Sequence, residues 1–202
     1  MSKVLIIGGG AAGMMAAVAA GENGHEVWLY EKNDRLGRKL FITGKGRCNI
    51  TNAGDMETLF ASVMSNPKFL YSSFYTFTND QVIDFFEELG VRTKIERGNR
   101  VFPLSDHSSD VIAGLKRKLE TLGVHICLET EVEKIEERDG KFQAIVLKGG
   151  QRKTGDACIV ATGGISYPAT GSTGDGYRFA KETDIRLQTI SGSGSDGSQG
   201  MV

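Results

Sequence analysis

A glycine-rich turn near the N-terminus separates a short apolar run from an alanine-rich stretch. The run Val4–Ile7 is continuously apolar, as is typical of a strand buried on both faces of a parallel sheet. Ala11–Asn23 favours a helix because it is rich in alanine and methionine, and Glu26–Glu31 has the composition of a second strand. The first 31 residues therefore predict a βαβ unit, whose crossover is expected to be right-handed.

The turn itself has the spacing Gly8-x-Gly10-x-x-Gly13 between the predicted strand and helix. This context is the one in which a dinucleotide pyrophosphate approaches the backbone at a helix N-terminus. Glu31 ends the second predicted strand, where its carboxylate can accept hydrogen bonds from ribose hydroxyls. A turn needed only for packing is the structural alternative. The spacing does not discriminate between FAD and NAD.

The remaining pattern predicts an α/β protein with a parallel sheet, a β-hairpin or meander, and a small helical insertion. We expect Lys32–Asn52 to be a long loop without regular structure, and Asp156–Ala161 to be another buried strand. The predicted helices span residues 57–64, 67–75, 79–89, 108–122 and about 175–181, and the other predicted strands span residues 91–95, 100–102, 124–128, 131–137 and 141–147.

The predicted loop carries an unusual number of cations. They are Lys32, Arg35, Arg38, Lys39, Lys45 and Arg47, with Asp34 as the opposing charge. Some of them could neutralise a pyrophosphate or the negative charge of a reduced flavin. A solvated surface loop and an RNA-contacting loop are the alternatives, although few aromatic residues are interleaved for base stacking.

Composition excludes several classes of protein. The formal net charge is −1, which gives no general attraction to nucleic acid or to an anionic membrane. The uncharged stretch Val4–Gly21 is rich in glycine, which argues against a membrane span, and the stretch lacks the features of a signal peptide. Three cysteines and three histidines without ligand-like spacing predict neither disulfides nor a metal site. We therefore expect a cytoplasmic protein.

Several isolated side chains of reactive type are expected to have structural roles rather than catalytic ones. Cys48 has no second cysteine at CxxC spacing and no histidine nearby, so we expect a small buried residue rather than a redox thiol. Ser172 and Thr173 precede a predicted helix and are expected to cap it. His107 lies in a polar turn and is expected at the surface. No residue is assigned as a catalytic acid or base.

Three longer motifs together carry a family resemblance: Val4–Gly13, Gly37–Asn52 and Ala161–Tyr177. They resemble the bacterial NAD(P)/FAD-dependent oxidoreductases that include aminoacetone oxidase-like and bile-acid reductase-like flavoproteins. The resemblance implies a glutathione-reductase-type FAD domain and a small organic substrate, with NAD(P)H as a candidate electron donor. It implies these cofactor-binding residues: Gly8, Gly10, Ala12 and Gly13 at the pyrophosphate, Glu31 at the adenosine ribose, Lys32, Arg38, Lys39, Gly46 and Asn49 along the loop, the Val132 backbone at the adenine, and Thr162 and Gly163 beside the cofactor.

The resemblance covers about residues 1–184, which we assign to the FAD-binding domain with a helical insertion at about 55–90. Members of that family continue into a substrate domain and then return to the FAD domain, so we expect an N-terminal portion of such a protein. Residues 185–202 are rich in glycine and serine and are predicted to be a linker or a junction. A non-catalytic FAD- or ADP-binding fragment and an RNA-modifying flavoprotein remain as alternative functions. The oligomeric state is left open.

Overall fold

The computed structural model describes residues 1–183, 189–190 and 200–201. The strands are β1 (Lys3–Ile7), β2 (Glu26–Tyr30), β3 (Thr51–Asn52), β4 (Thr93–Glu96), β5 (Arg100–Pro103), β6 (His125–Cys127), β7 (Val132–Arg138), β8 (Lys141–Leu147), β9 (Arg152–Thr154), β10 (Ala157–Val160), β11 (Thr189–Ile190) and β12 (Gly200–Met201). The α-helices are α1 (Ala11–Glu22), α2 (Arg38–Ile42), α3 (Met56–Ala61), α4 (Tyr71–Thr76), α5 (Asn79–Glu88), α6 (Ser108–Thr121) and α7 (Asp175–Glu182). Short 3-10 helices span Thr43–Gly46, Pro67–Leu70 and Pro168–Thr170.

The chain divides into two compact units, one formed by Met1–Lys39 and Lys116–Val202 and the other by Leu40–Leu115. In the first unit, a parallel sheet has the strand order β10-β1-β2-β6. Helix α1 packs on β1, β2 and β10. The predicted βαβ start is therefore confirmed, and the glycine turn lies at the carboxyl end of a central strand, where ligands bind in open α/β sheets.

A second sheet completes the core of the first unit. Strands β7, β8 and β9 are antiparallel, and their apolar residues meet one face of the parallel sheet together with Phe179 of α7. The buried members of this cluster are Leu5, Ile7, Tyr30, Val132, Ile135, Ile145, Leu147 and Phe179. Burial of apolar side chains is the main favourable term in folding, so this cluster holds the two sheets together.

The second unit contains the antiparallel sheet β3-β5-β4 and the helices α3 to α5. Helix α5 begins with a capping box in which Thr78 and Gln81 bond reciprocally. The buried Asn79 side chain donates to the Asn52 and Gly54 carbonyl oxygens, at 2.8 Å each. The predicted helical insertion at about 55–90 lies within this unit. The assignment of residues 1–184 to one FAD-binding domain stays a prediction.

Two sequence-based predictions in the fold are wrong. The sequence predicts a buried strand at Asp156–Ala161, but in β10, the edge strand of the described sheet, Ile159 is 38% exposed and Val160 is 42% exposed. The segment 32–52 was expected to lack regular structure, but it contains α2, a 3-10 helix and β3. Most of the predicted tail, residues 185–202, lies outside the described residues.

Among the helices of the described residues, none is both long enough and apolar enough to cross a membrane.

Candidate functional site

The glycine turn is shaped by close backbone contacts. Gly8 has a φ of 106°, and a Cβ at this position would overlap the Ala161 carbonyl oxygen. A Cβ on Gly13 would overlap the Gly8 carbonyl oxygen. The packing of β1, α1 and the segment that follows β10 therefore requires glycine at positions 8 and 13. Thr162, in that segment, lies beside Gly8.

Gly10 differs from these two glycines because a Cβ on Gly10 would meet no atom within 4 Å. It is the N-cap of α1 and supplies no side-chain cap, and the first turn of α1 contains no acidic residue. Ala12 in this turn is exposed. The first N–H groups of an α-helix have no intrahelical acceptor, and the helix dipole favours an anion there. This end of α1 therefore suits a phosphate group, and the space at Gly10 lets it approach.

Glu31 follows β2 and is 7% exposed. One carboxylate oxygen, Oε2, accepts a hydrogen bond from the Gly9 N–H at 2.6 Å. The other, Oε1, accepts bonds from the Asn33 backbone N–H at 2.8 Å and from the Asn33 side-chain amide at 2.6 Å. A carboxylate offers about four acceptor positions, so these three bonds fix its orientation and leave capacity for a ligand hydroxyl.

The predicted cations of the first unit are engaged by protein groups. Lys32 Nζ lies 2.7 Å from Asp175 Oδ2 and 2.7 Å from Thr173 Oγ1. Arg38 donates to Asn33 Oδ1 at 2.7 Å. Lys39 Nζ donates to the Ser166 carbonyl oxygen at 2.9 Å. Lys32 and Lys39 thus tie the segment after β2 to the segment 166–175, whereas Arg38 bonds within the former segment.

Thr162 and Gly163 follow β10 and lie beside the glycine turn. The Thr162 hydroxyl oxygen is buried and has no hydrogen-bond partner among the described residues. Gly163 has a φ of 74°. An orphaned buried hydroxyl costs free energy unless a water or ligand satisfies it, so Thr162 is consistent with a polar ligand at this turn.

The expected helix caps in this segment are wrong. Helix α7 has Gly174 as its N-cap, with a φ of 82° and no side-chain cap. Ser172 is buried, and the Thr173 hydroxyl binds Lys32 and Asp175 instead. The contact of the Thr173 hydroxyl with Lys32 competes with its capping of α7. Lys32 lies 141 residues away in the sequence, so the local sequence does not indicate this contact.

The Val132 side chain is buried in the core of the first unit. A ligand could therefore contact only the backbone of Val132, which is the contact that the resemblance implies. The segment leading to Val132 lies against the Glu31 segment, because the Thr130 N–H donates to the Glu31 carbonyl oxygen and the Glu129 N–H to the Asn33 carbonyl oxygen, both at 2.9 Å.

Gly46 and Asn49 lie in the second unit. Gly44, Lys45, Gly46 and Cys48 all have positive φ values, a conformation that is unfavourable for the two non-glycine residues. In the orientation that satisfies both of its polar groups, the Asn49 amide donates to the Thr51 and Val101 carbonyl oxygens.

Cys48 is 2% exposed, and burial raises the pKa of its thiol. The prediction of a small buried residue is therefore confirmed, as is the exposure of His107.

Arg47 fixes this left-handed segment within the second unit. Its guanidinium lies 2.5 Å from Glu96 Oε1 and 2.6 Å from Asp106 Oδ1, and it stacks on the Phe102 ring at 4.1 Å. Lys94 Nζ also lies 2.6 Å from Asp106 Oδ2. Networks of this kind can hold a loop in a conformation that its own residues disfavour.

We expect acid to weaken this network. Arg47 holds the pKa of Glu96 below its usual value, and Lys94 together with Arg47 lowers the pKa of Asp106. A lowered folded-state pKa adds stability above the unfolded-state pKa of about 4, and this stability is lost as the pH falls through the folded-state value. The urea midpoint, followed by far-UV circular dichroism, should therefore fall on acidification below about pH 4.

The matched variant Glu96→Gln/Asp106→Asn removes both titrating carboxylates and keeps their shapes. Its urea midpoint should be lower at pH 7 and should fall less steeply with acid than that of the unsubstituted protein. Identical slopes for the two proteins would show that the network does not contribute to the pH dependence.

Asn33 lies beside Glu31 at the candidate site, and the motifs did not indicate it. All of its polar groups bond to neighbouring segments, including the Thr170 carbonyl oxygen at 3.3 Å. The only local signal is an asparagine two residues after the strand-ending acid, a spacing at which asparagine amides commonly bond to nearby groups.

Comparisons with known proteins identify relatives of this chain. The chain is 34% identical over 194 residues to the 3-dehydro-bile acid delta(4,6)-reductase of Clostridium scindens, covering 94% of this chain and 46% of that protein. It is 30% identical over 187 residues to the ribosomal RNA dihydrouridine synthase of Haemophilus influenzae, covering 91% and 46%. The chain thus spans about half the length of these curated relatives.

A likeness in fold extends to solved structures. The apo Sdh1 complex of Mycobacterium smegmatis aligns with a TM-score of 0.68 at 21% identity, covering 90% of this chain and 38% of that chain. Residues 2–199 match the family described as the HI0933-like protein Rossmann domain. The predicted α/β Rossmann-type fold and the family resemblance are both confirmed. Since the match takes in nearly the whole sequence, the chain belongs to the HI0933-like Rossmann domain family.

Proposed function

We propose that this chain is the nucleotide-binding part of an FAD-dependent oxidoreductase that acts on a small organic molecule. The observation that carries the proposal is the open N-terminus of α1, where Gly10 leaves space for a pyrophosphate. Glu31 lies at the end of the adjacent strand with acceptor capacity for a ribose hydroxyl. The orphaned Thr162 hydroxyl adds a third polar group on the same side of the first unit.

The residues present fit the adenosine diphosphate half of FAD. The α1 N-terminus would stabilise the pyrophosphate charge, Glu31 would orient the ribose, and the backbone before Val132 would lie beside the adenine. When bound, FAD would supply the redox chemistry through its isoalloxazine ring, and NAD(P)H is the proposed electron donor. Gly46 and Asn49 are also proposed as cofactor contacts.

The relatives support a reductive reaction. One is named a reductase and the other a synthase of dihydrouridine, so both names describe formation of a more hydrogenated product. We therefore propose hydride transfer to an unsaturated organic substrate.

An absorbance spectrum of the purified 202-residue chain tests the cofactor. We expect flavin bands, release of FAD rather than FMN on heating, and tighter binding of added FAD than of FMN, because FMN lacks the adenosine that Glu31 would hold. A colourless protein that binds neither added FAD nor ADP would contradict the proposal. Binding of ADP without FAD would restrict it to the alternative of a non-catalytic nucleotide-binding fragment.

RNA modification is a second candidate, favoured by the name of the Haemophilus influenzae relative. The charges in this chain argue against direct phosphate binding by the basic segment. Lys32, Arg35 and Arg47 pair with carboxylates, which reduces their attraction for phosphate.

A retardation assay with structured ribosomal RNA separates the two candidates. We expect no shift of the RNA at moderate salt. A shift that weakens steeply with salt would favour RNA as the substrate, since each phosphate contact releases counterions.

A further inference from the structure

Asn33 connects the proposed ribose-binding carboxylate to three other segments of the first unit. We propose that Asn33 is a positioning residue for the nucleotide site, acting through Glu31; this inference rests on the proposed function. It does not require Asn33 to touch the cofactor.

The contacts of Asn33 use every polar group that it has. Its backbone N–H and side-chain amide both donate to Glu31 Oε1, at 2.8 and 2.6 Å. The amide also donates to the Thr170 carbonyl oxygen at 3.3 Å, and Oδ1 accepts from Arg38 at 2.7 Å. The backbone carbonyl oxygen accepts from the Glu129 N–H at 2.9 Å. Asn33 is therefore held from four directions and is itself a rigid support.

Glu31 depends on this support for its orientation. A glutamate has several rotatable bonds, and hydrogen bonds from two donors to Oε1 select one arrangement of the carboxylate. That arrangement directs Oε2 to the Gly9 N–H at 2.6 Å, so the glycine turn is braced by the same carboxylate. Preorganising a group in its binding orientation lowers the entropic cost of binding.

The turn at residues 170–171 closes on Asn33 and leaves little room for other side chains. Gly171 has a φ of 98°, and a Cβ there would lie 2.7 Å from Asn33 Nδ2. A larger residue at position 33 would push this turn away, whereas Asn33→Ala removes the amide without adding atoms. Alanine is therefore the informative substitution.

A double-mutant cycle tests whether Asn33 acts through Glu31. Asn33→Ala, Glu31→Ala and the double variant are titrated with FAD, ADP and FMN. We expect Asn33→Ala to weaken FAD and ADP binding about tenfold, the effect of losing one charge-assisted hydrogen bond, and to leave FMN binding unchanged. In the Glu31→Ala background the same change should cost less than about twofold, because the group that it positions is gone.

The matched control is Asn23→Ala, which deletes an amide that donates to the Ala19 carbonyl oxygen at 2.8 Å in the same unit. Its FAD and ADP affinities should equal those of the unsubstituted chain. Equal losses from Asn33→Ala in both backgrounds, or no loss in either, would overturn the inference even though FAD binding itself is intact.

Amide hydrogen exchange decides the question without a ligand. In Asn33→Ala the Gly9 amide should exchange about tenfold faster relative to the Leu29 amide of β2, because the carboxylate that protects Gly9 is no longer fixed. An unchanged ratio would overturn the inference. If the unsubstituted chain binds neither FAD nor ADP, the proposed function fails, whereas the Gly9 exchange rate still reports on the positioning of Glu31.

Discussion

Gly13→Ala is expected to lower the free energy of unfolding by about 2 kcal/mol or more. The new Cβ would overlap the Gly8 carbonyl oxygen, which is backbone and cannot rotate aside. Gly8 has little room to shift, because a Cβ built on it would lie 2.4 Å from the Ala161 carbonyl oxygen. Overpacking of this kind costs about 3 kcal/mol, whereas the better helix propensity of alanine returns about 1 kcal/mol. The steric cost exceeds the gain in helix propensity, so the substitution is destabilising.

Urea denaturation followed by the fluorescence of Trp28 measures this loss. Trp28 is the single tryptophan of the chain, and it lies in β2 beside β1. Gly21→Ala is the matched control in the same helix. Its Cβ would lie 3.2 Å from the Leu122 Cβ, a contact that a shift of a few tenths of an ångström relieves, so its stability should change much less than that of Gly13→Ala. Equal midpoints for the two variants would show that α1 can shift at little cost.

The parts of the fold and site that sequence predicts are those with a local signal. The βαβ unit follows from an apolar run, a glycine turn and an alanine-rich helix within the first 31 residues. The different roles of Gly8, Gly10 and Gly13 share one spacing in the sequence, and only the structure separates those required by packing from the one that faces open space.

Contacts between distant segments could not be predicted from one sequence. Asn33 bonds to Thr170 and Lys32 to Asp175, across 137 and 143 residues. The same limit applies to Arg47, whose partners lie 49 and 59 residues away and hold Lys45 and Cys48 in left-handed conformations. Nothing in the local composition requires a left-handed lysine or cysteine.

The error at β10 has a related cause. A continuous apolar run indicates a strand but not how many of its faces and edges are covered. In the described residues β10 pairs only with β1 and forms the edge of the sheet. The five-residue helix α2 was missed because it is too short to show a helical period.

Gly10→Ala is expected to weaken FAD binding about 100-fold while leaving the fold intact. A Cβ on Gly10 would meet no protein atom within 4 Å, and its φ of −80° is open to any residue. Alanine is a poorer N-cap than glycine, so we expect this substitution to cost about 1 kcal/mol or less of unfolding free energy. The methyl group would instead occupy the space through which the proposed pyrophosphate reaches the N–H groups of α1. Losing two charge-assisted hydrogen bonds, at about 1.5 kcal/mol each, corresponds to about two powers of ten in Kd.

Titration with FAD and ADP, together with urea denaturation of the same samples, separates binding from folding. Gly10→Ala should remain folded, with a urea midpoint only modestly below that of the unsubstituted chain, and should lose both ligands in parallel, because they share the pyrophosphate. Gly21→Ala should keep both affinities. Unchanged affinity in a folded Gly10→Ala protein would place the phosphates away from α1, and the open space at Gly10 would then need another explanation. Loss of FAD but not of ADP would indicate that the methyl group obstructs the flavin half rather than the pyrophosphate.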